Sequence, residues 1–346
     1  MTTSLTEREL LGVAAGMAAA GVRLSGPLTS SLIAGGRSNL TFRLGDGTAQ
    51  CVLRTPPRTG RTPSAHDVAR EFRVTSALGL TDVPVARAVL LYEDDDVLGG
   101  PFSVADFVAG RVIQSRHDLD RLDAPTVTAV SQRLVETLAT LHRVDPNAVG
   151  LERFGRPDAY AARQLRRWAG QWELVGDRSL DTLAGEVSGR LGRQLPEQRT
   201  AGIVHGDFRI DNTLLDLDGP DAPRLAAVVD WELSTIGDPV ADVATMLAYR
   251  DPAFDLIVGE PSAWTSSRLP DPARLAAAYE AAGGVPLVDL DLHLALAHYK
   301  IAVIAAGIAH RHRAGSGSGA GFETAGTAVA PFLEAARSAL RSGSSL

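Results

Sequence analysis

Hydrophobic spacing divides the chain into a strand-rich first third and a helix-rich remainder. Residues Leu5 to Ala20 repeat apolar side chains at helical intervals, and Thr6 with Glu9 three positions later forms a capping-box signature. The period then shortens. Leu32-Ile33-Ala34 runs into Gly35-Gly36-Arg37-Ser38-Asn39, Leu40 to Leu44 alternates, Gly45-Asp46-Gly47 signals a turn, and Ala49 to Arg54 resumes as a strand. A helix is expected over His66 to Leu78, closed by Thr81-Asp82-Val83-Pro84, and two further strands over Ala88 to Tyr92 and Phe102 to Phe107, across the acidic turn Glu93 to Asp96. From Pro125 to His142 the pattern is a long amphipathic helix. Helical signals dominate beyond it, except between Ile203 and Asp230, where short strands and loops are expected. Gly315 to Gly321 reads as a Gly/Ser-rich loop and Glu323 to Leu340 as a last helix. No internal repeat is visible. The expected architecture is α+β, with a β-rich lobe over residues 1–106, a helical lobe over 107–346 and a join near Asp106 to Gly110, as in enzymes that work in a cleft.

Composition narrows the setting. The 346 residues are 45% hydrophobic and 22% charged, as in an ordinary globular protein, and the formal charge of -7 argues against a broad nucleic-acid surface. Cys51 is the only cysteine, so neither an intramolecular disulfide nor a thiolate metal cluster can form. The first ten residues have no signal-peptide core, and the longest apolar run, Ile301 to Ala309, is about half of a membrane span and reads as a buried helix. A cytoplasmic protein that engages no membrane is expected, monomeric or homodimeric.

Two segments carry chemistry. In Ile203-Val204-His205-Gly206-Asp207-Phe208-Arg209-Ile210-Asp211-Asn212-Thr213-Leu214-Leu215, an apolar strand opens into a loop of two aspartates, an arginine and an asparagine, then turns apolar again. Such a loop is costly beside a core unless its polar groups are used. The spacing of Asp207 and Asn212 matches the Asp and Asn of the protein-kinase catalytic loop. In Ala226-Ala227-Val228-Val229-Asp230-Trp231-Glu232, a buried strand ends in two carboxylates, suited to a hard cation bridging phosphates.

Together, His205-Gly206-Asp207, Asn212 and Asp230-Trp231-Glu232 resemble the aminoglycoside phosphotransferase/choline kinase superfamily, whose members have a protein-kinase-like two-lobed fold and phosphorylate small molecules. The resemblance extends from the Gly35-Gly36 loop to the C-terminal helices. It implies ATP and Mg2+ as cofactors, Asp207 as catalytic base or hydroxyl-orienting group, and Asn212 and Asp230 as magnesium ligands. His205 is expected to brace the loop.

The first lobe offers consistent but less specific support. Gly35, Gly36, Arg37, Ser38 and Asn39 lie where a phosphate-covering loop belongs, although a Gly-Gly hairpin taken alone is also an ordinary turn, and neither Gly-x-Gly-x-x-Gly nor a Walker A motif is present. Arg54 ends a strand where kinases carry a phosphate-pairing lysine, with Glu71 on the next helix as its natural partner. Arginine keeps the charge but has a larger, forked geometry, and a surface ion pair is the other reading. Asp106, Phe107 and Val108 resemble the family's adenine-binding hinge; an edge strand and turn fit the same residues.

Acceptor candidates are Arg166, Arg167, Trp168 and Trp172, then His298, Tyr299 and Lys300, and the run His310-Arg311-His312-Arg313. These cations suit an acidic acceptor, although basic side chains on helices commonly face solvent. The catalytic-loop sequence looks most like the branch found fused to acyl-CoA dehydrogenases, implicated in phosphorylating hydroxyacyl groups, which favours a small hydroxyl substrate of hydroxyacyl or hydroxy-acid type. Two lobes occupy these 346 residues, so no dehydrogenase domain is expected within them. An aminoglycoside would instead want an acidic pocket, which Asp238, Asp242 and Glu232 could form. A nucleotide-binding pseudokinase is the remaining rival. A protein kinase is disfavoured because no activation segment ending in Ala-Pro-Glu follows Asp230.

Overall fold

The computed structural model describes residues 4–34, 39–57, 67–315 and 319–342. In chain order its elements are α1 (Glu7–Ala19), β1 (Thr29–Ala34), β2 (Leu40–Gly45), β3 (Gln50–Thr55), α2 (Val68–Leu78), β4 (Ala88–Tyr92), β5 (Phe102–Asp106), α3 (Arg116–Asp120), α4 (Ala124–Arg143), α5 (Tyr160–Val175) and α6 (Asp181–Arg193). Then follow β6 (Gly202–Val204), β7 (Thr213–Asp216), β8 (Arg224–Val228), β9 (Thr235–Gly237), α7 (Pro239–Ala248), α8 (Phe254–Val258), α9 (Pro272–Ala281), α10 (Leu290–Arg313) and α11 (Val329–Ser342). They form two compact units. The first comprises Met1–Gly110 with Leu214–Asp216 and Ala226–Ser234; the second comprises Arg111–Thr213, Leu217–Leu225 and Thr235–Leu346. The mixed α+β fold expected from the sequence, strands first and helices after, is the one observed.

In the first unit an antiparallel sheet runs β1-β2-β3-β5-β4. Its register places Leu53 of β3 opposite Phe42 on one side and Val104 on the other, and all three are fully buried. Val13 and Met17 of α1 complete that core. The helix begins where the capping box predicts, with the Thr6 and Glu9 side chains each accepting the other's backbone N–H. Asp46 shapes the β2–β3 turn by accepting from the backbone N–H groups of Ser25, Thr48 and Ala49, which hold its carboxyl well below the usual carboxylate range. Asp67 caps α2, and the helix turns Glu71 inward. His66, expected to open this helix, lies outside the described residues.

In the second unit α10 is the central helix, packed against α5, α6, α7 and α11. Its 24 residues are long and apolar enough to cross a membrane by length and composition, which exceeds the sequence expectation, yet most of that stretch is buried in the unit, with Tyr299, Ile301, Ala302 and Val303 inaccessible. The two-stranded pair β6–β9 puts Ile203 opposite Ile236. Strand β9 is only three residues long and leaves no periodic trace in the sequence. The last helix begins at Val329 and not at Glu323, after a 3-10 turn over Ala325–Ala328. There the Thr324 hydroxyl bonds the Leu256 carbonyl and Thr327 bonds Thr324, competing with helical pairing. Of the predicted loop Gly315 to Gly321, residues 316–318 lie outside the description.

Candidate active site

The polar loop after β6 belongs to the second unit and is held from several sides. Buried Asp242 of α7 accepts from the backbone N–H of His205 at 2.7 Å and of Gly206 at 2.8 Å. It also meets His142 Nε2 at 3.2 Å, while His142 Nδ1 lies 2.7 Å from the Tyr279 hydroxyl. Burial alone would raise the Asp242 carboxyl; the bond and charge of His142, with the neighbouring His205, outweigh it and leave it below its ordinary value. Gly206 has φ of 84°, a conformation glycine adopts without strain. Its carbonyl accepts from Lys300 Nζ at 3.0 Å, and the next N–H, that of Asp207, donates to His205 Nδ1 at 3.2 Å. His205 thus braces the loop.

The Asp207 side chain is equally fixed. Asn212 Nδ2 donates to its Oδ2 at 3.0 Å and to its carbonyl at 2.7 Å, and Arg209 Nη1 donates to its Oδ1. Arg209 in turn grips Asp211 through Nε and Nη2, both at 2.9 Å, and lies over the rings of Tyr249 and Phe254. Burial raises the Asp207 pKa above its ordinary value and Asp211 adds to that, against Arg209, Lys300 and His205. The result is an immobilised carboxylate, made a stronger base than a free aspartate. With its nitrogen occupied by Asp207, the Asn212 amide presents its oxygen as a possible metal donor.

A second cluster lies within the first unit. Arg54 of β3 meets Glu71 of α2 at 2.5 Å and Asp230 at 3.4 Å. Burial lifts the Glu71 carboxyl to about 7, with Arg54 opposing the rise. Asp230 follows β8 with φ of 65° and ψ of 58°, left-handed backbone that a non-glycine residue holds only when its surroundings fix it. The next residue, Trp231, is fully buried and its Nε1 bonds the Val228 carbonyl at 3.0 Å. Among the described residues Arg54 Nε and Glu71 Oε2 have no hydrogen-bond partner, nor have either of the side-chain polar atoms of buried Asn39.

The remaining sequence candidates separate. Gly35, Gly36, Arg37 and Ser38 fall outside the described residues. Asp106 forms a two-bond ion pair with Arg87, the Phe107 N–H donates to the Gln50 carbonyl at 3.2 Å with its ring under Arg43, and Val108 is partly buried just beyond β5. Asp238 and Asp242 do not form an acidic pocket: both are almost fully buried, Asp238 capping α7 and Asp242 holding the loop. Lys300 is not a solvated helix cation, because its ammonium is spent on Gly206. Arg166 and Arg167 are exposed, Trp172 is buried with Nε1 on Asp181, and the run from His310 to Arg313 is exposed. Sequence reasoning missed Asp242, His142 and Tyr249 as supports of the loop. Their partners lie 36 to 137 residues away along the chain, a range over which local patterning carries no signal.

The profile of the phosphotransferase enzyme family (APH) matches residues 29–293, which take in both clusters except Lys300. The chain belongs to that family. It is 32% identical over 295 residues to acyl-CoA dehydrogenase family member 10 of Mus musculus and to acyl-CoA dehydrogenase family member 11 of Homo sapiens. Those alignments cover 84% of this chain but 27% and 37% of the relatives, so the chain spans about a third of their length. Viomycin phosphotransferase of Streptomyces vinaceus is 25% identical over 214 residues, 59% of this chain and 68% of that one. Among solved structures, a Ralstonia eutropha protein provisionally assigned as an aminoglycoside phosphotransferase superposes with a TM-score of 0.82 at 32% identity, over 96% of this chain and 98% of its own. Aminoglycoside phosphotransferase APH(4)-Ia, in a ternary complex with AMP-PNP and hygromycin B, superposes at 0.60 with 16% identity, over 92% and 94%, and shows a shared fold.

Proposed function

We propose that this chain transfers the γ-phosphoryl group of Mg·ATP to the hydroxyl of a small molecule, with a hydroxy-acid or hydroxyacyl compound as the preferred acceptor. The observation that carries the reading is the Asp207 carboxylate, fixed by Arg209 and Asn212 on a loop whose backbone is held by Asp242 and Lys300. Phosphoryl transfer asks little covalent chemistry of a protein and much positioning, which is what this loop supplies. Asp207 orients the acceptor hydroxyl and takes its proton. Its basicity, raised by burial, serves that role.

Asn212 and Asp230 are the proposed magnesium ligands. Among the described residues no group of three or more His, Cys, Asp or Glu could hold a metal by itself. One carboxylate and one amide oxygen still fit magnesium, which is commonly held by one or two carboxylates together with a nucleotide's phosphates. When bound, the ion neutralises charge on those phosphates. Arg54 is the proposed phosphate contact in place of lysine, steadied by Glu71, and the residues Gly35, Gly36, Arg37, Ser38 and Asn39 are proposed to cover the phosphates. The buried Asn39 side chain, without a hydrogen-bond partner among the described residues, supports that assignment. Backbone groups of Asp106, Phe107 and Val108 are the proposed adenine contacts. A cytoplasmic setting is part of the same proposal.

Preference for a hydroxyacyl-type acceptor draws on the kinship with acyl-CoA dehydrogenase family members 10 and 11. Antibiotic phosphorylation is the second reading, favoured by the likeness to viomycin phosphotransferase. The burial of Asp238 and Asp242 counts against it, since a polycationic acceptor loses two of three candidate carboxylates. A coupled ADP-release assay with Mg·ATP against hydroxy acids, hydroxyacyl-CoAs, aminoglycosides, choline and sugars tests the proposal. Turnover that depends on a hydroxyacyl or hydroxy-acid compound supports it; turnover with aminoglycosides alone selects the second reading, and an absence of Mg·ATP binding overturns both.

A further inference from the structure

Lys300 is the one lysine-type cation placed against the catalytic loop, and its setting is unusual for a helix lysine. It rises from the middle of α10, between buried Tyr299 and Ile301, and its Nζ reaches the Gly206 carbonyl at 3.0 Å. That carbonyl and the Asp207 N–H are the two ends of one peptide group. The N–H end donates to His205 Nδ1 at 3.2 Å. The preceding two peptide groups are held through their N–H ends by Asp242. Three successive peptides are thereby fixed, and the last of them, the one that carries Asp207, is held from both ends.

Glycine is the residue at which such a peptide can most easily turn over. At Gly206, with φ of 84°, no side chain opposes rotation of the following peptide plane. Turning it would send the carbonyl away from Lys300, break the Asp207–His205 bond, and re-aim the carboxylate. We propose that Lys300 is a positioning residue: its ammonium clamps the Gly206–Asp207 peptide in the orientation that presents the Asp207 carboxylate. The inference rests on the reading of Asp207 as the base. The charge environment is consistent with the clamp. Burial lowers the Lys300 pKa while Asp207 and Asp242 raise it, and Arg167 and Arg209 oppose them. A neutral or shorter side chain would leave the Gly206 carbonyl without its charged donor.

Residue-resolved amide hydrogen exchange on the whole chain tests this, with Gly206 as the internal reference because its N–H is held by Asp242 and not by the clamp. In Lys300→Met the exchange rate of Asp207 relative to Gly206 is expected to rise on the order of tenfold, as for the loss of a hydrogen bond to a charged group. Lys300→Gln is neutral and places its donor one bond short; it is the second variant should Lys300→Met not fold, and the same rise is expected. In turnover, either variant lowers kcat while the KM for nucleotide stays within about twofold. An unchanged Asp207-to-Gly206 ratio overturns the clamp. So does a uniform acceleration of all loop amides with a fall in Tm, which would mark Lys300 as a packing residue only. Because the exchange ratio needs no turnover, failure of the clamp leaves the phosphotransferase reading standing, and silence across the acceptor panel leaves the clamp result standing.

Discussion

The two polar clusters are built on opposite plans. Around Asp207 the backbone and side chains are tied down by Asp242, Lys300, His205, Asn212 and Arg209. Around Asp230 fewer polar atoms are spent: Arg54 is 3.4 Å from the carboxylate, and Glu71 Oε2 and Arg54 Nε lack partners among the described residues. A carboxylate that must orient a hydroxyl gains from being immobile before the reaction. A cluster meant to receive a highly charged ligand gains from polar atoms that are not yet spent, at a cost in stability. Preorganised and unspent polar groups are thus kept in separate units of this chain.

Breaking the tied-down side has the largest expected effect. Asp242→Ala strips two buried N–H groups and His142 of their acceptor and is expected to destabilise the second unit by about 3–5 kcal/mol, the cost of breaking a buried charged pair, measured by urea unfolding. The Asp230 side predicts the reverse balance. Arg54→Ala should cost less in the same unfolding experiment, about 1–2 kcal/mol, because Glu71, already lifted to about 7 by burial, takes up a proton when its partner is lost. Yet it should lower kcat/KM for Mg·ATP by about 100-fold, as for removal of one preorganised charge donor.

A pH effect of intermediate size sharpens the contrast further. Burial holds His293 and His298 of α10 near a pKa of about 4, below the ordinary 6.5. Their neutral forms are favoured by the fold, so the stability they support is complete above pH 6.5 and is lost as pH falls towards 4. Thermal unfolding followed between pH 7 and pH 4 should show Tm falling over that window, and His298→Phe should flatten the fall. The smallest effect is expected at Arg209→Lys, which keeps the charge near Asp207 but forfeits the fork on Asp211 and the stacking on Tyr249 and Phe254. About 1 kcal/mol of stability and a modest loss of kcat are expected, read by unfolding and steady-state kinetics.

Much of the fold was legible because it is written in local spacing. The Thr6–Glu9 capping box, the alternation at Leu40 to Leu44, the Gly45-Asp46-Gly47 turn and the amphipathic stretch from Pro125 to His142 all lie within one element or one turn. The same holds for the two chemical segments, each an apolar strand interrupted by charges. What was not legible depends on distant partners. Lys300 sits in an apolar helix and reads as surface until α10 is seen beside Gly206, 94 residues earlier. Asp242 reads as a free carboxylate until its two N–H donors are in place. The pairing of Arg54 with Glu71 was foreseen by analogy of position, yet the reach of Arg54 to Asp230 spans 176 residues and no pattern encodes it.

Asp207 is proposed to perform the chemistry without being needed to hold nucleotide. The direct measurement compares wild type with Asp207→Ala, reading Mg·ATP binding by calorimetry and acceptor-dependent ADP release in the same preparations. The expected result is a Kd for Mg·ATP within about threefold of wild type and a loss of transfer of at least about 1,000-fold. Transfer at the wild-type rate in Asp207→Ala would contradict it.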